Sequence, residues 1–429
     1  MKKRDRRPAR REASGPRKWT VLVWIAGDND LEEFGRSDLR EMKSVGSTTD
    51  VNVVAQFDSM SDRRTRRYYL RRGTSLSADE VADLGPTNTG DPAVATAFFK
   101  WGAGAYPAER YLVVLWNHGS GIDETDVYAR ARSHGLRVVR RGSGRGVVPR
   151  SRGRALAARG FRRSLFSSTL DAALLRRGIA YDDTARDFLD NAELRRVLSS
   201  VRRALGRRID VVGFDACLMS MLELAYEHRR LAGYVVGSEE VEPGDGWPYD
   251  RILKALVADP EMTGEDLGRV IVREYARSYP SEGVTQSALD LREAAAAGRA
   301  VDRLAGALLT AIRDDTEYAN VTKALHATQS FATPDFLDLH DLCARLSASC
   351  RSAEVRSAAK ATQVAVEAFV AAEAHKGASV AGARGVAIYF PRGQATVLYR
   401  RLDFAKRTRW DEFLAAYTFT PVSSLGRRG

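Results

Sequence analysis

Five short apolar segments recur along the chain, and stretches with helical periodicity separate most of them. The segments are rich in valine and isoleucine, and most end at glycine, asparagine or aspartate, as buried strands commonly do. Strands that alternate with helices are typical of a mostly parallel sheet with helices on both faces. The pattern therefore predicts an α/β fold in one large domain. The five predicted strands are Trp19–Ala26, Val51–Phe57, Tyr111–Trp116, Ile209–Phe214 and Tyr234–Gly237.

The rest of the pattern supplies further elements around these strands. Asp190, with Glu193 three residues later, has the form of a capping box and predicts a helix that ends at Leu205. Apolar spacing predicts another helix over Cys217–His228, which Cys217 would open. Additional strands are expected at Arg67–Arg72, Val284–Leu291 and Gly385–Phe390, and helices at Asp30–Lys43, Pro92–Trp101, Asp250–Ala258, Gly264–Tyr279, Glu293–Asp314, Phe336–Leu346 and Ala353–Ala372.

Basic charge is concentrated in two segments rather than spread over the chain. The formal net charge of +12 equals the charge of Arg130–Arg163 alone, which holds twelve arginines and no acidic residue. Residues 1–18 hold nine lysines and arginines against two acidic residues, so the remaining chain is mildly acidic. We expect a basic, disordered tail over 1–18, a folded domain over 19–420 with an arginine-rich insertion at about 122–187, and a short tail over 421–429.

The first apolar run follows a basic lead-in and superficially resembles a secretion signal. Trp19–Ala26 is short, however, and a polar turn beginning at Gly27 follows at once. We therefore predict a core strand here; the sequence leaves the compartment open and favours a cytoplasmic over a secreted protein. The chain has no run of eighteen apolar residues, so no membrane helix is expected.

Two of the predicted strands end next to groups that can do chemistry. His118 follows Tyr111–Trp116, and Cys217 follows Ile209–Phe214. Ligands of parallel sheets bind outside the carboxyl ends of the strands, and neighbouring strands lie only about 4.8 Å apart. If these strands are neighbours, an imidazole and a thiol share one crevice, as a base and its nucleophile do. A helix beginning at Cys217 would stabilise its thiolate, and the N–H groups of Gly119 and Cys217 could bind an oxyanion.

The other cysteines and histidines have weaker settings. Cys343 and Cys350 lie two helical turns apart, roughly 10 Å along a helix axis and beyond disulfide reach, so we expect packed thiols. A small buried thiol is also the alternative role for Cys217. The chain has no Cys-x-x-Cys and no closely spaced histidine pair, so no metal site is predicted. Solvated or structural roles are expected for the remaining histidines, His134, His228, His326, His340 and His375.

At these residues the sequence resembles the clostripain family of cysteine peptidases, in the caspase-like group. The resemblance depends mainly on His-Gly in WNHGSG (Trp116–Gly121) and on Asp-Ala-Cys in DACLMSMLELAYE (Asp215–Glu227), each after an apolar strand. Supporting segments follow the family's order along nearly the whole chain; they are WTVLVWIAGDNDLE (Trp19–Glu32), EEVEPGDGW (Glu239–Trp247), FLDLHDLC (Phe336–Cys343) and GVAIYFP (Gly385–Pro391). The resemblance implies a caspase-like fold and hydrolysis of peptide bonds after arginine or lysine.

The resemblance also implies roles for single residues. His118 becomes the base and Cys217 the nucleophile that forms an acyl-enzyme. Acidic groups at the bottom of the S1 pocket suit a cationic substrate side chain; Asp215 matches that position, and Asp245 in the Pro-Gly-Asp-Gly turn is a second candidate. A helix N-cap is the alternative role for Asp215, and a simple turn residue for Asp245. No cofactor is needed for the chemistry; calcium enters by resemblance only, since the chain shows no aspartate-rich calcium loop.

The interval between the two candidate catalytic residues is wide for this group. His118 and Cys217 are ninety-nine positions apart, and the surplus coincides with Arg130–Arg163. Family members commonly mature by cutting themselves between these residues, and an arginine-rich loop there would be a substrate for an arginine-specific enzyme. We therefore expect self-cleavage in this segment, giving two chains that stay associated, and peptide or protein substrates with arginine or lysine at the cleavage site.

Two other functions remain open from the sequence. Arg130–Arg163 and residues 2–18 could bind nucleic acid or another polyanion through phosphates. The longer segment contains Phe161 but no interleaved aromatic residues, so base stacking is unsupported and nucleic acid is the weaker expectation. The third possibility is a caspase-like scaffold without catalysis, against which the intact His118 and Cys217 argue.

Overall fold

A central nine-stranded sheet organises the part of the chain that the computed structural model describes, residues 15–122, 136–141, 144–149, 179–182, 184–185, 187–280, 283–395 and 399–419. The strands are β1 Arg17–Gly27, β2 Val51–Ser59, β3 Arg64–Tyr69, β4 Glu80–Gly85, β5 Ala108–Trp116, β6 Leu136–Arg141, β7 Gly144–Pro149, β8 Ile179–Asp182, β9 Asp187–Leu189, β10 Ile209–Asp215, β11 Ala232–Gly237, β12 Val284–Asp290, β13 Phe336–Asp338, β14 Val370–Lys376 and β15 Ala387–Tyr389. The sheet has the order β14-β12-β11-β10-β5-β1-β2-β3-β4.

The middle of this sheet is parallel and both of its edges are antiparallel. β11, β10, β5, β1 and β2 run in one direction, and they are the five predicted strands. β12 and β14 on one side and β3 and β4 on the other pair antiparallel. The α/β class is confirmed, with a mixed sheet around a parallel centre. β5 and β10 are neighbours, as the predicted crevice requires, and they pair Trp116 with Asp215.

Helices cover both faces of the sheet and complete two apolar cores. They are α1 Glu32–Val45, α2 Leu76–Asp79, α3 Pro92–Ala105, α4 Asn191–Leu205, α5 Leu222–His228, α6 Tyr249–Ala258, α7 Gly264–Ser278, α8 Ala294–Ala311, α9 Asp315–Ala327, α10 Leu339–Ser349, α11 Ala353–Phe369, α12 Asp403–Arg407 and α13 Trp410–Phe419, with 3-10 turns at Ala378–Val380 and Tyr399–Arg401. One core contains Leu22, Trp24 and Phe98, and the other contains Val21 and Ile271. β1 is therefore buried on both faces, which confirms the predicted core strand.

Two segments predicted to be helical divide into a strand and a helix. Phe336–Asp338 pairs with β15 before α10 begins, and Val370–Lys376 pairs with β12 after α11 ends at Phe369. His375 therefore lies on an edge strand. The alanine-rich sequence of Val370–Lys376 is compatible with either a helix or a strand, and its pairing with β12 makes it a strand. Neither α9 nor the edge strand β4 is among the predicted elements, whereas the capping box of Asp190 before α4 is confirmed.

The segment between β5 and β10 contains two antiparallel pairs, β6 with β7 and β8 with β9. The sequence shows little periodicity there and does not predict these strands. The rest of Arg130–Arg163, including His134, lies outside the described residues, as do 1–14 and 420–429. The predicted N-terminal tail is described from residue 15, and Arg17 and Lys18 already belong to β1.

Candidate active site

The carboxyl ends of β1, β5 and β10 meet at one edge of the sheet. Trp116 of β5 pairs with Asp215 of β10, and His118 and Cys217 each follow two residues later. Asn117 links the ends of β1 and β5, because its side-chain amide donates to the carbonyl of Ala26 near the end of β1. Its side-chain oxygen accepts from the N–H of His118. The structure therefore brings the imidazole-bearing and the thiol-bearing loops to the same edge.

Gly119 lies directly against the backbone of Cys217. A Cβ atom at position 119 would lie 2.3 Å from the carbonyl oxygen of Cys217 and 3.1 Å from its nitrogen. A residue with a side chain would push the two segments apart, so this close approach requires glycine. The two backbone N–H groups that the sequence suggests as oxyanion donors thus belong to adjoining segments.

Cys217 lies in a turn and does not open a helix, because the turn is bonded to the segment after β11. The N–H of Leu218 donates to the carbonyl of Glu240 at 3.2 Å, and that of Ser220 to Ser238 at 2.9 Å. Leu218 has a φ of 63°, in the left-handed region, a conformation that is costly for leucine and recurs at functional sites. The predicted helix begins only at residue 222.

The predicted stabilisation of a Cys217 thiolate by a helix N-terminus is therefore wrong. The half-buried sulfur instead accepts a hydrogen bond from the backbone N–H of Glu242, at 3.3 Å. A donor pointing at sulfur favours the thiolate. The carboxyl group of the same residue is buried close by and repels a negative sulfur. Any cation that enters here would reduce this repulsion.

His118 contacts a residue that the sequence analysis gave no role. Its Nε2 lies 3.0 Å from Oδ1 of Asp30, in the loop between β1 and α1. The His118 side chain is 25% exposed and the Asp30 side chain 41% exposed, so both are reachable from solvent. The signal in the sequence is an acidic residue shortly after the strand that lies beside β5. This acidic residue can be linked to His118 only once the strand order is known.

Asp215 is buried beneath the turn that follows Glu242. One of its oxygens accepts from the phenol of Tyr249 at 2.9 Å and from the N–H of Trp247 at 3.4 Å. Gly246 has a φ of 57°, and a Cβ there would lie 2.9 Å from the other Asp215 oxygen. The turn closes over the carboxyl group because this position is glycine. Asp215 ends β10 and no helix starts beside it, which overturns its alternative role as a helix N-cap.

The second predicted pocket acid, Asp245, is exposed on the same turn. Glu242 occupies the interior position instead, with Oε1 accepting from Nε2 of Gln286 at 3.1 Å. Burial and the neighbouring Asp215 raise the pKa of the Glu242 carboxyl well above its ordinary value. Glu242 thus joins Asp215 as a buried acid beside Cys217. Sequence reasoning missed it because a glutamate before Pro-Gly has the appearance of a solvated turn residue.

The remaining predicted thiols and histidines have structural settings. Cys343 and Cys350 are free and buried, as expected, and burial raises the pKa of Cys350 to about 11. Burial lowers the pKa of His228 to about 3, so it stays neutral. His340 and His375 contact glutamates at 3.1 and 3.2 Å.

No group of three or more potential metal ligands occurs among the residues that the structure describes. Asp190 caps α4, and Asp187 accepts a hydrogen bond from the side chain of Asn88 at 2.7 Å. Within the same residues, none of the helices has the length and apolar character needed to cross a membrane.

Comparison with known proteins finds a matching family model and a curated relative. The family model described as the clostripain family matches residues 23–135 and 168–417. Clostripain of Hathewaya histolytica is 25% identical over 339 residues, which are 67% of this chain and 56% of that protein. The chain thus spans little more than half the length of this relative.

Two solved structures share the fold over almost the whole chain. A secreted C11 cysteine protease from Bacteroides thetaiotaomicron, in complex with an irreversible peptide inhibitor, has a TM-score of 0.61 at 22% identity, covering 93% of this chain and 100% of that one. An inactive zymogen C11 protease from Parabacteroides distasonis has a TM-score of 0.62 at 20% identity, covering 92% and 99%. They confirm the predicted caspase-like fold. The family model matches well over half of the residues of this chain, and the chain therefore belongs to the clostripain family of C11 peptidases.

Proposed function

We propose that this chain is a cysteine endopeptidase that hydrolyses peptide bonds after arginine or lysine. The observation that carries the proposal is the register of β5 and β10, which sets His118 and Cys217 two residues beyond a directly paired Trp116 and Asp215. The buried acidic pair of Asp215 and Glu242 suits a cationic side chain. Its substrates would be peptides or proteins that present arginine or lysine at the cleavage site.

His118 would act as the base. Its Nε2 faces the Asp30 carboxylate, which only accepts hydrogen bonds, so Nε2 carries the ring proton and Nδ1 is left to take the proton of Cys217. The thiolate attacks the scissile carbonyl carbon, and the N–H groups of Gly119 and Cys217 would stabilise the oxyanion. The C–N bond then breaks and His118 protonates the leaving amine. Water hydrolyses the thioester, releasing the carboxylic acid and the thiol.

A comparison of three fluorogenic peptides, identical except for arginine, lysine or aspartate before the reporter, tests the specificity. We expect cleavage of the arginyl and lysyl peptides and none of the aspartyl peptide. A preference for aspartate contradicts the proposal, and so does failure to cleave any of them, which would favour the scaffold. Since none of the proposed steps passes through a metal, activity should survive EDTA; its loss would support the calcium dependence that the family resemblance suggests.

Asp30 is a positioning residue in this proposal, and Asp30→Asn should lower kcat about 10- to 100-fold with little change in KM. The expected loss lies below the usual range for general acid–base catalysis because the pair is partly exposed and screened. Asp30→Glu should restore part of the lost activity. Glu33→Gln is the matched control, since Glu33 is 81% exposed on the adjacent helix. Unchanged kcat in Asp30→Asn would remove Asp30 from the mechanism.

Self-cleavage within Arg130–Arg163 is part of the proposal. The segment lies between the two catalytic candidates and offers twelve arginines, and one protein that shares this fold is described as an inactive zymogen. β5 before the segment and β10 after it are paired along five residues of the central sheet. The two products should therefore stay associated after the cut.

Electrophoresis of the purified protein tests this maturation. We expect two chains under denaturing conditions that elute together under native conditions, and a single intact chain for Cys217→Ala. A wild-type protein that remains a single chain while cleaving arginyl peptides would refute self-cleavage. Binding of a polyanion that falls with salt and persists in Cys217→Ala would instead support the nucleic-acid or polyanion alternative.

A further inference from the structure

We propose that Asp215 and Glu242 share one proton in the free protein and release it when a cationic side chain enters the pocket, which makes Glu242 a second determinant of specificity. This inference rests on the proposed function, since it concerns the same pocket. It goes further by assigning a role to Glu242 and by coupling substrate binding to proton release.

The hydrogen bonds around Asp215 and Glu242 indicate that one of the two carboxyl groups carries a proton. Glu242 is only 8% exposed; its Oε1 accepts from Gln286, while its Oε2 has no donor among the described residues. Asp215, 4% exposed, lies close enough to share a hydrogen bond with it. Two ionised carboxylates can only accept, so a bond between them requires a proton on one of them.

Among the residues that the structure describes, the charged or titratable groups that act most strongly on Glu242 are Asp215 and Cys217, neither of which is a cation. Further acids and phenols interact with one of the two carboxyl groups or with the tyrosines beside them. They are Asp38 and Glu41 on α1, Asp245 in the turn, Tyr249 on α6, Tyr275 on α7 and Tyr279 directly after α7. Burial raises the pKa of the Tyr249 and Tyr275 phenols, which therefore stay neutral at physiological pH. The proton shared by Asp215 and Glu242 thus takes the place that a cation would fill.

A guanidinium group would supply positive charge and hydrogen-bond donors to the two carboxyl groups. It brings a permanent positive charge and five N–H donors, one of which can reach an oxygen without a donor such as Oε2 of Glu242. The shared proton then leaves, because both carboxylates can ionise beside the cation. A neutral side chain of similar shape would leave the proton in place and gain no charge interaction. Glu242 also donates its backbone N–H to Cys217, so the cation settles next to the nucleophile.

Proton linkage fixes the direction of the pH effect. Where the pair holds its proton, a cation must displace that proton, so binding should tighten with rising pH by up to about tenfold per pH unit. The effect should level off once the pair has lost its proton without a ligand. Agmatine, a small guanidinium compound, is a suitable probe because it presents the cation without a scissile bond.

Calorimetry of agmatine binding to Cys217→Ala, in two buffers with different ionisation enthalpies, counts the protons released. We expect up to about one proton per agmatine at neutral pH, and its loss in Cys217→Ala/Glu242→Gln. The matched control is Cys217→Ala/Glu240→Gln, in which release should persist; Glu240 is a neighbouring glutamate whose carboxylate accepts from the N–H of Ala332.

The possible outcomes separate this inference from the proposed function. Agmatine that binds to Cys217→Ala without releasing a proton overturns the inference, whether or not the Glu242 variant folds. Undiminished release in the Glu242→Gln protein overturns the assignment to this pair. If agmatine does not bind and the wild type does not cleave arginyl peptides, the proposed arginine specificity fails as well.

Discussion

Replacing Cys217 with alanine should lower kcat/KM for arginyl peptides by at least about 10⁴-fold, because removal of a nucleophile from a cooperating catalytic group abolishes covalent catalysis. The sulfur accepts a hydrogen bond from the backbone N–H of Glu242, and Cys217 lies in a turn that is held by backbone bonds. The fold should therefore tolerate the change. Initial rates on the arginyl peptide, with circular dichroism of both proteins, provide the measurement.

Cys350→Ala is the matched control for this loss. Cys350 is also a free thiol, but it is buried after α10, and burial raises its pKa to about 11, so it stays protonated at neutral pH. Activity should be retained in this variant. More than about one per cent of wild-type activity in a folded Cys217→Ala protein would assign the nucleophile elsewhere, as would loss of activity in a folded Cys350→Ala protein.

Replacing Asp215 with asparagine should reduce kcat/KM for arginyl peptides by about 100- to 1000-fold. Removing one partner of a buried, hydrogen-bonded charge pair costs about 2–5 kcal/mol, and each 1.4 kcal/mol is about tenfold. Asparagine keeps an oxygen that can accept from Tyr249, so the turn over the pocket should remain closed. The loss should be much smaller for a peptide with a neutral side chain at the same position, because that peptide gains nothing from the carboxylate.

Asp245→Asn is the informative comparison, because Asp245 is the second candidate for the pocket acid in the sequence. Asp245 is exposed on the turn whereas Asp215 is buried beneath it. Exposed charges contribute about 1 kcal/mol or less, so this variant should lose less than about tenfold. The ratio of arginyl to neutral peptide turnover, measured in both variants, shows which of the two aspartates binds the substrate cation. Equal losses in the two variants, or a larger loss in Asp245→Asn, would contradict the assignment of Asp215 as the acid that binds the substrate cation.

The strands that carry the site could be predicted because they are buried on both faces. β1, β5 and β10 have continuous apolar sequences, and a parallel sheet brings the residues after such strands to one edge. His118 and Cys217 were therefore visible in the sequence. The helix predicted to start at Cys217 failed because the apolar spacing after it fits a helix, while the N–H groups of Leu218 and Ser220 bond to the segment after β11.

The partners of the catalytic candidates could not be predicted, because each contact joins distant parts of the chain. Asp30 and His118 are 88 residues apart and meet only because β1 lies beside β5. Glu242 follows Cys217 by 25 residues. Its burial depends on the turn that Gly246 allows and on Gln286 from β12. Local patterns report which residues are apolar or flexible, whereas these contacts depend on strand order.

The central claim, that Cys217 is the nucleophile of an arginine-specific site, is tested most directly by reaction with arginyl chloromethyl ketone. A thiolate displaces the chloride and keeps the arginyl group as a stable thioether, which peptide mass mapping locates. We expect one label, on Cys217, that agmatine suppresses and that the aspartyl reagent does not produce. Labelling of Cys343 or Cys350, equal labelling by the aspartyl reagent, or no labelling of a folded protein would contradict it.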